Sequence, residues 1–144
     1  MSSLAVSEVR SRVASALADL DGWTESRWAY GLFGSESDHL LHHSFAVGVE
    51  DTVLHPRAGQ QKLHEGALVV TTVQVQWAHR LRQDAQVADY GAALDSEAQA
   101  IVKLLSVDRR VLHVLFSDAR RRTTEEGWLL GTMRFRAIHQ LALR

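Results

Sequence analysis

The stretch Val69-Val-Thr-Thr-Val-Gln-Val-Gln-Trp-Ala-His-Arg-Leu-Arg82 decides the predicted fold, because apolar and polar residues alternate along it. One parity carries Val69, Thr71, Val73, Val75, Trp77 and Leu81. The other parity carries Thr72, Gln74, Gln76, Arg80 and Arg82. Successive side chains of a β-strand point to opposite faces of the sheet. The stretch therefore predicts a long strand with one face on the core and the other in water or on a partner.

Helical spacing of apolar residues predicts one helix before this strand and one after it. The apolar face of the first helix consists of Leu4, Val9, Val13, Ala16, Leu17 and Leu20. Ser2 or Ser3 is its expected N-cap, and Gly22 is expected just past its end. The second helix begins after Asp84, and its predicted apolar face consists of Val87, Tyr90, Leu94, Ala98, Ile101 and Leu105. Each helix thus has one face that can pack on a sheet.

The remaining patterns predict three more strands and the loops between them. The strands are 45–54, 111–116 and a final one in which Met133, Phe135, Ala137, Leu141 and Leu143 share a face. The polar loops are 55–66 and 117–127. The order is helix, strand, strand, helix, strand, strand. This order predicts an α/β fold of the α+β type, with two helices packed on one face of a mostly antiparallel four-stranded sheet. The length predicts a single domain, residues 1–144.

Composition excludes several classes of function. The chain has 144 residues, a net charge of −1 with histidines neutral, and no cysteine. The absence of cysteine excludes disulfides, thiolate catalysis and sulfur-ligated metal sites. The nearly balanced charge gives no overall electrostatic case for nucleic-acid binding. No run of about 18 apolar residues predicts a membrane span, and we expect a cytoplasm-like compartment.

Residues 23–44 show no regular pattern, although they contain several large aromatic side chains. These are Trp23, Trp28, Tyr30 and Phe33. Large aromatic side chains need burial. The segment therefore packs either on the core of its own domain or on a partner.

Histidines are the only candidate metal ligands with a suggestive spacing. His39, His42 and His43 form an H-x-x-H-H group, and histidine pairs can bind zinc. A third type of ligand and supporting partners are missing from its flanks, so a solvated or partly packed group is expected and no metal site is predicted. His79, His113 and His139 lie on separate predicted strands, which favours buried neutral side chains over a shared site.

The sequence contains none of the common catalytic or phosphate-binding motifs. G-x-S-x-G, G-x-x-x-x-G-K-[ST] and G-x-G-x-x-G are all missing. No acid, base and oxyanion-stabilising group can be assembled from the remaining residues. We therefore predict no catalytic residues, no cofactor-binding residues and no cofactor.

The triplet Arg120-Arg121-Arg122 is the strongest local concentration of charge. Three guanidinium groups can contact phosphates, but the nearby acidic residues Asp118, Glu125 and Glu126 nearly cancel their charge. A solvated hairpin tip or a contact between subunits is the favoured interpretation.

Five segments, spread over nearly the whole chain, carry a resemblance to a known family. They are the N-terminal helix, Phe45-Ala-Val-Gly-Val-Glu50, Thr71-Thr-Val-Gln-Val-Gln-Trp77, Arg82-Gln-Asp-Ala-Gln-Val-Ala-Asp-Tyr90 and Gly127-Trp-Leu-Leu-Gly-Thr-Met-Arg-Phe-Arg136. In this order the chain resembles the tail-terminator proteins of long-tailed bacteriophages, also called tail-completion or head–tail joining proteins. Segment 23–44 is longer than the smallest members of that family would have, and the surface that it covers is left open.

The resemblance implies a structural virion protein rather than an enzyme. Six copies would form a homo-hexameric ring that caps the tail tube, ends tube polymerisation and joins the tail to the head–tail connector or stopper protein. DNA would pass only transiently through the lumen, with no cofactor, reaction or membrane involved. The protein would be assembled in the host cytoplasm and lie in the virion tail at the head–tail junction.

A terminating ring needs two unlike ends, and surface loops commonly carry recognition. The predicted contacts with other subunits, the tube or the connector are therefore loop residues: Pro56, Arg57, Gln60, Gln61, Lys62, Arg120, Arg121 and Arg122. The predicted lumen-facing or interface side of the sheet consists of Gln74, Gln76, Arg134 and Arg136.

Two other classes of function stay open from the sequence. One is a small ferredoxin-like ligand-binding protein or enzyme that uses the aromatic segment and the histidines as a pocket. The other is an RNA- or DNA-binding module that uses the arginine triplet.

Overall fold

The alternating stretch forms one long strand at the centre of a curled sheet. The computed structural model describes residues 3–26, 42–59 and 62–143. In these residues the elements follow one another in this order: β1 (Ser3–Leu4), α1 (Val6–Ala18), β2 (Thr24–Glu25), β3 (Ser44–Leu54), β4 (Leu68–Arg80), α2 (Gln86–Leu105), β5 (His113–Thr123) and β6 (Trp128–Leu141). Neither helix of the described residues has the length and apolar character needed to cross a membrane.

The sheet has six strands among the described residues and mixes parallel with antiparallel pairs. Its order is β1-β6-β4-β3-β2, and β5 also pairs with β6. The pairs β3–β4, β4–β6 and β5–β6 are antiparallel, whereas β1–β6 and β2–β3 are parallel. The sheet curls into a half-barrel. The predicted four-stranded, mostly antiparallel sheet that begins with a helix is therefore wrong.

The two parallel strands explain this error, because each contains only two residues. Two residues cannot show a period, so the sequence assigned Ser3 and Leu4 to the first helix and its cap. The N-cap of α1 is instead Ala5, and the Leu4 carbonyl accepts a hydrogen bond from the Ala142 amide at 3.0 Å. Strand β2 lies in the segment interpreted as irregular, where the Thr24 amide donates to the His43 carbonyl at 3.0 Å.

The core lies between the concave side of the sheet and the two helices. Strand β4 contributes one parity of its side chains to this core: Val69, Thr71, Val73, Val75 and Trp77, all buried. Phe45, Met133 and Phe135 from the neighbouring strands pack with them. Each such apolar side chain contributes about 1.5–3 kcal/mol when it is fully buried, so this face of the sheet fixes which side the helices cover.

Helix α2 does not bury the face that its apolar residues predicted. Its buried residues are Asp89, Ala93, Glu97, Ala100 and Leu104. The predicted apolar face lies largely in water, with Val87 89% exposed. Helix α2 takes this orientation because of a buried polar contact, which the spacing of apolar residues does not indicate. Glu97 is 1% exposed, and its carboxylate accepts hydrogen bonds from Trp77 Nε1 at 3.1 Å and from Arg121 Nε at 2.8 Å.

The predicted polar loop 117–127 is also wrong, because most of it belongs to strand β5. This strand continues to Thr123, with an irregularity between Phe116 and Asp118. The turn that follows is short, and Gly127 adopts a φ of 88° in it. Strand β5 resembled a loop in sequence because its outward side chains are polar and one inward side chain, Arg121, is charged.

Trp77 can occupy its site only because the residue opposite it is glycine. Gly131 pairs with Trp77 across β4 and β6, and a Cβ atom added to Gly131 would lie 2.1 Å from the indole ring. Carbon atoms pack at about 3.5–4.0 Å. Gly131 therefore makes the space that brings the indole N–H to Glu97.

Replacing Gly131 by alanine should destabilise the protein by about 1–3 kcal/mol, since the indole ring has to move away from Glu97. The matched control is Gly91→Ala in α2, where an added Cβ meets nothing within 4 Å. The control should stabilise the helix by up to about 1 kcal/mol. Urea unfolding of the two variants measures both changes. Equal stability of Gly131→Ala and the wild type would contradict this account of the Trp77 site.

Replacing Arg121 by alanine should cost about 2–3 kcal/mol of stability, because it leaves the buried Glu97 carboxylate without its cation. The cost is at the low end for a buried pair, since the Arg121 side chain is 38% exposed. Arg120→Ala, on the opposite face of the same strand, is the control and should change the free energy of unfolding by less than about 0.5 kcal/mol. Denaturant unfolding compares the two variants, and equal effects would show that the Glu97 pair has no special role.

Candidate functional site

The outward side of α2 is an uncharged apolar surface that is largely exposed, although Leu94 and Ile101 on it are half-buried and Ile101 packs against the core. At 100° per residue, eight positions fall within an arc of about 120°. They are Val87, Tyr90, Gly91, Leu94, Ala98, Ile101, Val102 and Leu105, and we call them the α2 strip. Val87 is 89%, Val102 63%, Tyr90 42% and Leu105 40% exposed. A continuous apolar strip over five helical turns is typical of a surface that another protein covers.

A shallow apolar cleft continues the α2 strip toward the end of α1. Its volume is about 430 Å³, and its lining residues are Leu20, Ala98, Gln99, Val102, Lys103 and Ser106. Lys103 is the one charged side chain among them. The cleft therefore extends the apolar surface beyond the helix itself.

The predicted lumen or interface residues do lie on one face of the sheet, the convex side that we call the outer face. Gln74 pairs with Arg134, Gln76 with Thr132 and Thr72 with Arg136. Arg120 also pairs with Thr132 and Arg122 with Leu130, which places both arginines on the same side. Arg134 forms a salt bridge with Glu50 at 3.2 Å. Arg80, which pairs with Trp128, is on this side as well. The outer face thus has five arginines, together with a buried apolar cluster of Ala46, Ala78, Trp128 and Leu130.

Arg121 does not belong to this surface, because it pairs with Gly131 and points toward α2. The triplet of adjacent arginines is therefore divided between the two faces of the sheet. The arginines are divided in this way because successive side chains of a strand point to opposite faces. The sequence did not predict the division, since the triplet was expected to lie in a loop.

The loop 55–66 lies at the opposite end of β4 from the β5–β6 turn. Leu68 at the start of β4 pairs with Gln140, and Arg80 at its end pairs with Trp128. The described residues of the predicted contact set in this loop, Pro56, Arg57 and Lys62, are exposed. Gln60 and Gln61 lie outside the described residues. At about 3.3 Å per residue, thirteen residues of β4 separate the two ends by about 40 Å.

Three histidines meet at the other end of β4, and we call them the histidine cluster: His42, His43 and His79. One ring nitrogen from each lies within 4.8 Å of the others. The ring centroids of His42 and His43 are 4.1 Å apart, and those of His43 and His79 are 4.8 Å apart. His43 Nε2 and His79 Nδ1 share a hydrogen bond at 3.1 Å. His39, the remaining member of the predicted H-x-x-H-H group, lies outside the described residues.

Backbone hydrogen bonds hold the cluster in place. Ser44 pairs with Ala78 in the β3–β4 ladder, which brings the preceding His43 opposite His79. The His43 amide donates to the Ala78 carbonyl at 2.9 Å. His43 has a φ of 60°, an uncommon conformation for a residue other than glycine. His42 Nδ1 accepts a hydrogen bond from the Arg80 amide at 3.0 Å.

All three imidazoles are held in the neutral form. Burial, together with the neighbouring His42 and His43, lowers the pKa of His79 to about 4. Burial also lowers the pKa of His43, and burial and the charge of His43 lower the pKa of His42. A neutral imidazole carries a free lone pair, which is the form that binds metal ions.

A pocket of about 520 Å³ opens beside the cluster. Its lining residues are His42, His43, His79, Arg80, Arg82, Asp89, Ala92 and Ser96. The Asp89 carboxylate accepts hydrogen bonds from Arg82 Nε at 3.0 Å and from the Arg82 amide at 2.8 Å. These bonds lower the pKa of Asp89 to about 2, so the pocket contains a carboxylate that stays ionised.

Sequence spacing does not predict the histidine cluster, because it places His43 and His79 in separate groups. The pattern that could have predicted the cluster is the hairpin of 45–54 and 69–82. Its pairing brings His43, the residue before β3, opposite His79 near the end of β4. His139 and His113 do lie away from the cluster. His139 is buried, and its Nε2 and Thr71 Oγ1 share a hydrogen bond at 2.8 Å. No protein-family model and no curated protein matches this chain.

Proposed function

We propose that this protein is a ring-forming structural subunit of a bacteriophage tail, of the tail-terminator type that its sequence resembles. The observation that carries the proposal is the α2 strip. A subunit that works alone has no use for an uncharged apolar helix face in water, whereas a ring of identical subunits covers it on every copy. The proposal includes no reaction and no cofactor.

The α2 strip and one strand edge supply the two unlike patches that a ring requires. A closed ring needs a head-to-tail contact, in which one patch meets a different patch of the next subunit. The α2 strip is one such patch. The outer edge of β5 is a second, unlike one, since β5 pairs only with β6 among the described residues. Unpaired strand edges readily accept another chain.

The two ends of β4 supply the unlike ends that a terminator requires. Loop 55–66 lies at one end and the β5–β6 turn at the other, so one can meet the tail tube while the other meets the head connector. On this proposal the ring lies at the head–tail junction of the virion. The outer face, with Arg120, Arg122, Arg134 and Arg136, then suits the lumen, through which DNA passes transiently.

Gene order and particle structure test this function directly. We expect head-connector and tail-tube genes to flank the gene for this chain. Particles that lack the protein should show overlong tails or unjoined heads by electron microscopy. A metabolic operon around the gene, or normal virions after its deletion, would contradict the proposal.

The double variant Val87→Asp with Val102→Asp tests the α2 strip as the subunit contact. The wild type should associate in a concentration-dependent way in analytical ultracentrifugation. The variant should associate about tenfold or more weakly, because two carboxylates would lose their hydration in the contact. Circular dichroism should show unchanged helix content, since both positions are exposed.

The matched control introduces the same two charges beside the strip, as Gln86→Asp with Ala88→Asp. These positions are exposed on the same helix, lie outside the cleft, and are about 100° from the centre of the strip on either side. The control should associate like the wild type. Either a wild type that stays monomeric at all concentrations or equal weakening by both double variants would rule out the strip as the contact.

A further inference from the structure

We propose that His42, His43 and His79 together bind one transition-metal ion of the Zn²⁺ class, with a fourth coordination position open to the adjoining pocket. This inference is independent of the proposed ring. It rests on the number of ligands, their spacing and the way in which the strands hold them.

The number and spacing of the nitrogen atoms fit a single ion. Zinc sites with an open position use three protein ligands and place water in the fourth. Two imidazole nitrogens bound to one tetrahedral Zn²⁺ lie about 3.3 Å apart, given Zn–N bonds of about 2.0–2.1 Å. His43 Nε2 and His79 Nδ1 are already 3.1 Å apart. An ion bound to both nitrogens would take the place of the shared proton, which would move to the other nitrogen of the donor ring. The ion would lie beside the line that joins the two nitrogens, so each ring would turn by about 35° to direct its lone pair at the metal.

Two of the three ligands belong to a rigid frame. His79 is buried near the end of β4, where it pairs with Leu129 of β6. His43 is held opposite it by the hydrogen bond from its amide to the Ala78 carbonyl. Side chains that are already held in place lose less conformational entropy when a metal ion binds.

His42 needs a further change, in its hydrogen bonding. Its Nδ1 accepts a hydrogen bond from the Arg80 amide, so the ring proton lies on Nε2. Binding through Nδ1 displaces the Arg80 amide, and binding through Nε2 moves the proton and turns the ring. His42 is exposed, which leaves room for either change. Metal binding should therefore be accompanied by a local rearrangement at His42 and Arg80.

The surroundings of the cluster favour a borderline metal over a hard one. Imidazole nitrogens suit Zn²⁺, Co²⁺, Ni²⁺ and Cu²⁺, whereas Mg²⁺ and Ca²⁺ require oxygen ligands. The one carboxylate in the pocket, that of Asp89, is engaged by Arg82 and its amide. It offsets the charge of the Arg82 guanidinium group. The guanidinium group of Arg80, which also lines the pocket, lies over the Trp128 ring at 5.2 Å from its centroid.

Cobalt is the probe for the test, because tetrahedral Co²⁺ has much stronger visible absorption than octahedral Co²⁺. The full chain, free of any affinity tag, is treated with EDTA, dialysed and titrated with Co²⁺. We expect one Co²⁺ per chain, displacement by Zn²⁺ and no displacement by Mg²⁺. Zn²⁺ should also raise the melting temperature. No visible band and no rise in melting temperature would overturn the proposal.

Variants locate the ion. His42→Ala removes an exposed ligand and should weaken Co²⁺ binding about tenfold or more without unfolding the chain. His79→Gln tests the buried ligand with a polar replacement, and His64→Ala, an exposed histidine of the distant loop, is the control and should bind like the wild type. Retention of the band in both His42→Ala and His79→Gln would place the metal elsewhere and overturn the proposal. Ultracentrifugation in EDTA keeps this result separate from the test of ring assembly.

Discussion

The fold depends most on one buried carboxylate, Glu97, which ties three elements together. It accepts hydrogen bonds from Trp77 on β4 and from Arg121 on β5. A buried carboxylate without such partners costs several kcal/mol, so α2 cannot turn about its axis without a large loss. The contact surface also includes Ala93 and Ala100, whose small side chains let the helix approach the indole ring closely. The rotation of α2 is therefore set by polar partners and by space rather than by apolar content.

The fixed orientation of α2 about its axis also determines which of its side chains are exposed at the surface. The buried face of α2, centred on Ala93, and the α2 strip lie about 120° apart around the helix axis. The buried face carries the carboxylates of Asp89 and Glu97 and the side chains of Ala93 and Ala100. Larger apolar side chains, such as Val87, Tyr90 and Val102, are exposed. Turning the helix to bury the strip on the same core would take Glu97 away from Trp77 and Arg121, and would leave its carboxylate without both partners. An exposed apolar strip is thus the outcome of the polar contacts in the core, and the proposed assembly rests on this strip.

Local patterns predicted part of this structure, and long-range polar contacts account for most of what they missed. Alternation from Val69 to Trp77 identified the central strand and its buried parity, because a two-residue period depends only on the strand itself. The face of α2 could not be identified in this way, since Glu97 becomes a core residue only when Trp77 and Arg121 lie beside it. Strands β1 and β2 were too short to show a period. The histidine cluster depended on strand register, whereas the shared side of Gln74, Gln76, Arg134 and Arg136 follows from alternation and antiparallel pairing alone.

The same helix rotation also shapes the pocket beside the histidine cluster. Asp89 lies two turns before Glu97 on the same buried face of α2, and there it engages Arg82 just beyond the end of β4. If α2 turned to bury its apolar strip, Asp89 would leave the pocket, and Arg82 would lose the carboxylate that balances its charge beside the histidines. The strip and the pocket are therefore two results of one constraint. Because Glu97 holds both arrangements, a change at Glu97 that freed the helix to turn would alter the α2 strip and the histidine cluster together, although neither contains that residue.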